Sequence, residues 1–156
     1  MTLMNNTQKL DEWTQEKKVL VNTYNGNPES YKEMTINRGD IYLCKIGENI
    51  GEEQNNDRPV IVLSKTFYNN VSTQITVAPL STTIRYKTVR GKRIPRIKTQ
   101  FILKKSDYPF LTEDSCIKCE QIRSLSKVRL APHKLGTVDQ EALNKIMVRV
   151  KDLFDI

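Results

Sequence analysis

Three short stretches carry residue types able to do chemistry on a phosphate. The first is Gly51-Glu52-Glu53-Gln54-Asn55-Asn56-Asp57-Arg58-Pro59-Val60, a polar segment running straight into an apolar one. Pro59 cannot donate to a β ladder and fits the first position of a strand, which fixes Arg58 at a loop–strand junction. A guanidinium held there is shaped to clamp a phosphate. The competing reading is a surface arginine paired with Asp57 or Glu53, and the residues alone favour it. The second stretch, Ala78-Pro79-Leu80-Ser81-Thr82-Thr83, puts three hydroxyls at a strand end, where they either cap turns or donate to phosphate oxygens. The third, Glu120-Gln121-Ile122-Arg123-Ser124-Leu125-Ser126-Lys127, alternates polar and apolar side chains.

Other chemistries are poorly supplied. His133 is the sole histidine and lies in a polar turn, so no imidazole pair is available. Cys44, Cys116 and Cys119 are an odd number and would stay reduced in the cytosol. A structural zinc site needs four ligands, and Cys116-x-x-Cys119 with His133 is one short. Cys116 and Cys119 also fall in an expected strand, where residues three apart face opposite ways. No metal site and no cofactor are expected.

Charge adds a fourth feature. The chain has 156 residues, with 25 Lys and Arg against 18 Asp and Glu, a net +7. Arg85 to Lys98, RYKTVRGKRIPRIK, holds seven bases and no acid, and without it the remainder balances at 18 against 18. Such a block is either a phosphate-contacting loop or a solvated basic loop without a ligand.

The elements that must position these residues read as one modest domain. Leu10, Trp13, Leu20 and Tyr24 recur at helical spacing, predicting an amphipathic helix over about residues 8–23 that ends at Asn25-Gly26-Asn27-Pro28. Its Trp13 face must dock on something. From Arg38 the pattern changes to short strands: Asp40–Ile46, Pro59–Ser64, Gln74–Pro79, Thr99–Leu103 and Ser115–Arg123. Their spacing predicts a small, strongly twisted antiparallel barrel. Thr137-Val138-Asp139-Gln140 reads as a capping box opening a C-terminal helix, whose stripe is Ala142, Leu143, Ile146, Met147, Val150, Leu153 and Phe154. The longest apolar run, Val60–Leu63, cannot span a bilayer, and Met1–Trp13 has no signal-peptide core. A cytoplasmic protein without membrane association is expected.

Taken in order, Arg38-Gly-Asp-Ile-Tyr, Gly51-Glu-Glu-Gln with Arg58-Pro-Val-Ile-Val-Leu-Ser, Phe67-Tyr-Asn-Asn, Val77-Ala-Pro-Leu-Ser-Thr and Glu120-Gln-Ile-Arg-Ser-Leu-Ser-Lys resemble the MazF/PemK family of toxin endoribonucleases. The likeness runs from about Arg38 to Phe154. It implies an SH3-like antiparallel barrel with helices, forming a symmetric homodimer, with residues 1–36 as an added helical extension and 37–156 as the toxin domain. It implies sequence-specific, metal-independent cleavage of single-stranded RNA, usually mRNA, and neutralisation by an antitoxin. The family's catalytic arginine falls on Arg58, its catalytic hydroxyl on Ser81 in place of the usual threonine, and a loop glutamate on Glu53. Gln54, Thr82, Arg85, Tyr86, Lys87, Arg90 and Gln121 are the expected RNA contacts, Tyr86 as a stacking platform or a loop anchor. An acidic, partly disordered antitoxin segment would compete for the same basic groove. Direct DNA binding is not expected. The rival readings are a CcdB-like gyrase poison, although the chain ends Leu153-Phe154-Asp155-Ile156 without the Trp-Gly-Ile signature, and an inactive RNA-binding barrel.

Overall fold

A computed structural model describes residues 3–156. Its centre is a seven-stranded antiparallel sheet that curls on itself. Strand β1 (Asp40–Lys45) pairs with β2 (Asp57–Val62), and β2 pairs with β3 (Gln74–Ser81). The long β3 changes partner along its other edge. Gln74–Val77 pair with β8 (Arg123–Ser126), whereas Leu80 and Ser81 pair with β7 (Ser115–Lys118). Strand β6 (Gln100–Leu103) flanks β7, and the short β9 (Gly136–Thr137) closes onto β1.

Both faces of the central strands are covered, which is why Val60-Ile61-Val62-Leu63 shows no polar alternation. Ile41, Ile61, Ala78 and Leu80 pack with Leu143, Ile146 and Val150 of the C-terminal helix. Tyr42, Cys44, Val60, Val62, Val77 and Leu125 form a second core inside the curl. Lys127 is fully buried beside it. Its ammonium donates to the Met34 carbonyl at 3.1 Å, fastening the segment that leads into β1, and burial lowers its pKa.

Helix α1 spans Asn6–Gly26, starting earlier than its apolar spacing predicts because Asn5 and Gln8 form a capping box at its first turn, and running on into the expected turn residues. The expected Asn-Gly-Asn-Pro stop holds, with Asn27 as C-cap. It also caps a helix the sequence reading did not contain, α2 (Pro28–Glu33), with proline at its start. A further short helix, α3 (Thr66–Asn69), lies in the expected loop after β2.

Three other expectations are corrected. The basic segment is not a loop: β4 (Tyr86–Val89) and β5 (Lys92–Pro95) form a separate two-stranded hairpin. Arg90 and Gly91 turn it with φ of 50° and 75°, the two-residue left-handed turn that matches strand twist. The expected strand Ser115–Arg123 is broken by a 3-10 turn at Cys119–Gln121. Cys116 and Cys119 are therefore not related by strand alternation. Both are buried and unpaired, Cys119 against the C-terminal helix and Cys116 with its thiol near the Thr83 carbonyl.

Finally, the C-terminal helix α4 (Gln140–Phe154) starts later than the capping box predicts. Asp139 is the N-cap, accepting the Ala142 N–H at 2.8 Å. Thr137 sits in β9 and gives its hydroxyl to Asp40 at 2.7 Å. Ala142, Leu143, Ile146 and Val150 are buried as expected, while Phe154 is exposed.

Candidate active site

Strand β2 begins two residues before Pro59, which lies opposite Leu43. The ladder between β2 and β3 starts only at Val60, so the missing proline donor falls where β2 has one partner. Arg58 stands opposite Cys44 and continues the row of Val60 and Val62. That row is core farther along, so the guanidinium is carried into a part-buried position at the barrel rim.

Three acceptors hold it there. Arg58 Nε donates to the Asn55 carbonyl at 2.7 Å, and Nη1 to the Gln54 side-chain oxygen and the Leu80 carbonyl, the last at 3.4 Å. The Leu80 contact sets Arg58 beside Ser81. Among the described residues no carboxylate pairs with Arg58: Asp57 pairs with Lys45 at 3.5 Å, and Glu53 accepts the Ile50 N–H at 2.9 Å. The surface ion pair is thus ruled out, and the positive charge is uncompensated. Desolvation lowers the Arg58 pKa.

The loop that supplies Gln54 and Asn55 is closed at its base by Asn56 N–H donating to the Gly47 carbonyl at 2.8 Å, with Gly47 and Asn56 both at positive φ. Within it, Asn49 donates twice, its side-chain Nδ2 to the Gln54 carbonyl at 2.7 Å and its backbone N–H to the Asn55 side-chain oxygen at 2.6 Å. Gln121 staples the loop from outside, its Nε2 donating to the Glu52 carbonyl at 2.9 Å and its Oε1 accepting the Gln54 N–H at 3.2 Å. Beneath lies a polar recess of about 300 Å³ lined by Asn49, Glu53, Gln54, Glu120, Gln121 and Arg123. Gln54 belongs both to this recess and to the Arg58 clamp.

Asn49, Glu120 and Arg123 are recess residues that the sequence reading did not select, and Arg123 is the one best placed to be found. Its signal was present, since it lies at an alternating position of the Glu120–Lys127 stretch. Ser81 uses its hydroxyl to accept the Thr83 N–H at 3.2 Å, a turn cap that leaves its proton free to donate. Thr82 is exposed next to it. Arg85, Lys87 and Arg90 are exposed on the hairpin, and its base is closed by Arg96 N–H to the Arg85 carbonyl at 2.8 Å. Tyr86 is part-buried, with the Arg93 guanidinium 3.8 Å from its ring centre, so one ring face is already covered.

In class, this is a small curled-sheet barrel whose polar site is organised around one unpaired arginine. The comparisons make the class specific. Residues 37–154 match the sequence profile of the PemK-like, MazF-like toxin of type II toxin-antitoxin systems, and the chain belongs to that family. It is 30% identical to Endoribonuclease EndoA of Bacillus subtilis (strain 168) over 113 residues, 72% of this chain and 89% of that protein. It is 35% identical to Endoribonuclease MazF of Staphylococcus epidermidis over 121 residues, 78% of this chain and 89% of the relative. Among solved structures the fold is similar to MazF (Form-I) from Deinococcus radiodurans, with a TM-score of 0.60 at 18% identity over 79% of this chain and 99% of that one. It is also similar to a mycobacterial endoribonuclease in complex with its cognate antitoxin, with a TM-score of 0.59 at 23% identity, covering 78% and 96%.

Proposed function

We propose that this protein is a sequence-specific endoribonuclease toxin of a toxin-antitoxin system, acting on single-stranded RNA with Arg58 at the centre of the reaction. The family and its endoribonuclease relatives support RNA cleavage. The observation that carries the assignment to this site is the part-buried Arg58 guanidinium, fixed by neutral acceptors and free of any carboxylate.

RNA brings its own nucleophile, the 2′-hydroxyl, so the protein must position the chain, stabilise charge and move protons. In-line attack on the adjacent phosphorus breaks the bond to the 5′-oxygen and leaves a 2′,3′-cyclic phosphate and a 5′-hydroxyl. Arg58 offsets the extra negative charge as the phosphorane develops. Being protonated throughout the physiological range, it is no general base. It can pass a proton to the departing 5′-oxygen and recover one from water. Ser81, next in line along β3, donates to a non-bridging oxygen. Glu53 is the base candidate; from its place at the recess mouth it must release the Ile50 N–H to act.

The recess of Asn49, Gln54, Gln121 and Arg123 is suited to one splayed base read on its edge, while the hairpin's Arg85, Lys87 and Arg90 follow the backbone. Tyr86 offers a base its uncovered face. An acidic antitoxin segment fits the same basic surface, and its binding excludes RNA by competition. A symmetric homodimer with two such sites completes the reading.

The test is incubation of the protein and its Arg58→Ala variant with long single-stranded RNA in excess EDTA, with fragment ends mapped. Discrete cuts bearing 5′-hydroxyl and cyclic-phosphate ends in the wild type alone are expected. Absence of cleavage from several unrelated RNAs by folded wild-type protein overturns the enzyme in favour of a passive RNA-binding barrel or a gyrase poison.

A further inference from the structure

Helix α1 lies outside the residues matched to the family, yet it touches the loop that holds Arg58. Trp13 is its one buried residue, 9% exposed, and it belongs to neither core cluster. Its indole lies flat on Gly47. A Cβ at Gly47 would fall 2.1 Å from Trp13 Cε2, so only glycine admits the ring, and φ of +84° demands glycine independently. Gly47 is the residue whose carbonyl closes the loop through Asn56.

Arg129 braces the same joint. Its guanidinium lies 5.5 Å from the Trp13 ring centre and donates to the Lys45 and Ile46 carbonyls, the two residues before Gly47. A second link, Glu16 to Lys45 to Asp57, is solvent-exposed and therefore weak. The indole is the effective contact.

The chain of contacts is short: Trp13 on Gly47, Gly47 to Asn56, then Asn55 and Gln54 onto Arg58. We infer that α1 is a positioning element of the cleavage site, with Trp13 holding the 47–57 loop in the form that orients Arg58. This rests on Arg58 being the catalytic residue. Loss of the indole lets the loop base shift, and misplacement of a charge-stabilising group lowers turnover without weakening substrate contacts made elsewhere.

Steady-state cleavage of a defined single-stranded RNA by full-length wild type, Trp13→Ala, Trp13→Phe and Arg58→Ala tests this, with melting curves on each. In Trp13→Ala, kcat falls by about 10- to 100-fold, the scale expected for a displaced catalytic group, while KM stays within about twofold. Trp13→Phe, which restores a flat ring on Gly47, recovers most of the loss. Should Trp13→Ala melt below the assay temperature, Trp13→Leu carries the same expectation, because it keeps an apolar contact without the ring. Wild-type kcat in the folded variant overturns the inference. So does a rise in KM alone, which would make α1 an RNA-contacting surface. Full activity in Arg58→Ala defeats the assignment of Arg58 and the positioning role with it; loss in Arg58→Ala beside unchanged kcat in Trp13→Ala refutes the positioning role alone.

Discussion

Gln121 separates two views of the recess, as a base reader and as a staple. In the structure both ends of its amide engage the loop, the nitrogen giving one hydrogen bond to the Glu52 carbonyl and the oxygen taking one from the Gln54 N–H, with one further donor and one further lone pair left over. Gln121→Ala removes both. The loop is largely exposed, so the abandoned backbone groups are rehydrated, and the loss is the net value of each bond, not the cost of a buried orphan. At about 0.5–1.5 kcal/mol per bond the pair is worth about 1–3 kcal/mol. For a domain of this size each kcal/mol moves the melting temperature by about 2–4 °C. The expected fall is therefore about 2–12 °C by thermal melt. Gln54 also accepts from Arg58, so a loosened loop frees the guanidinium. Cleavage of a mixed-sequence RNA, with cut sites mapped by end sequencing, then shows the same sites cut more slowly. Undiminished rate with cuts at new sequences would refute the reasoning, since it would mean that the amide reads a base and the two loop bonds contribute nothing.

Replacing Lys87, Arg90, Lys92 and Arg93 together with glutamine weakens RNA binding and flattens its salt dependence. If all four meet phosphates, the log–log slope shrinks by about 3. Titration of a fluorescent, uncleavable RNA at several salt concentrations measures it. Burial pushes the Cys44 and Cys119 thiols from 9.0 to about 12. The native protein therefore leaves both unlabelled by iodoacetamide at pH 8, as mass spectrometry would show. Because these acids bind protons more tightly when folded, the stability they contribute is intact below pH 9 and is lost as pH rises toward about 12. Gly136→Ala drives a methyl to within 2.3 Å of the Phe110 ring, an overpacking cost of about 1–3 kcal/mol read as a lower melting temperature.

The strands around the site were legible because their residues obey packing rules. Val60 to Leu63 and Gln74 to Pro79 are β-branched and apolar where two cores press on one sheet, and α4 shows its stripe at helical spacing. Arg58 and Ser81 were singled out through an ordered set of motifs, and Arg58's place at the strand start through the proline that follows it. Its clamp was less accessible. Gln54 is close in sequence, but the Leu80 carbonyl arrives from a neighbouring strand, and strand pairing is a long-range fact. The hairpin was missed because both its faces are solvated: a ribbon that buries little shows no apolar alternation, and seven positive charges read as loop. The helix start slipped by two residues because Thr137 and Asp139 are both good caps. Asp40, nearly a hundred positions earlier, decides between them by capturing the threonine hydroxyl. Lys127 looks like any surface lysine until the Met34 carbonyl is placed above it.

The β4–β5 hairpin forms its own two-stranded sheet, closed at its base by the Arg96–Arg85 bond and followed by Lys98, which pairs with Asp152 at 2.9 Å. None of its side chains belongs to either buried cluster. Substitutions along the ribbon therefore alter what the surface attracts while leaving the folding free energy of the barrel nearly untouched. Most proteins trade a new specificity against lost stability. Here the two vary almost separately, and the ribbon can be exchanged as a cassette, its length and charge retuned on an unchanged barrel.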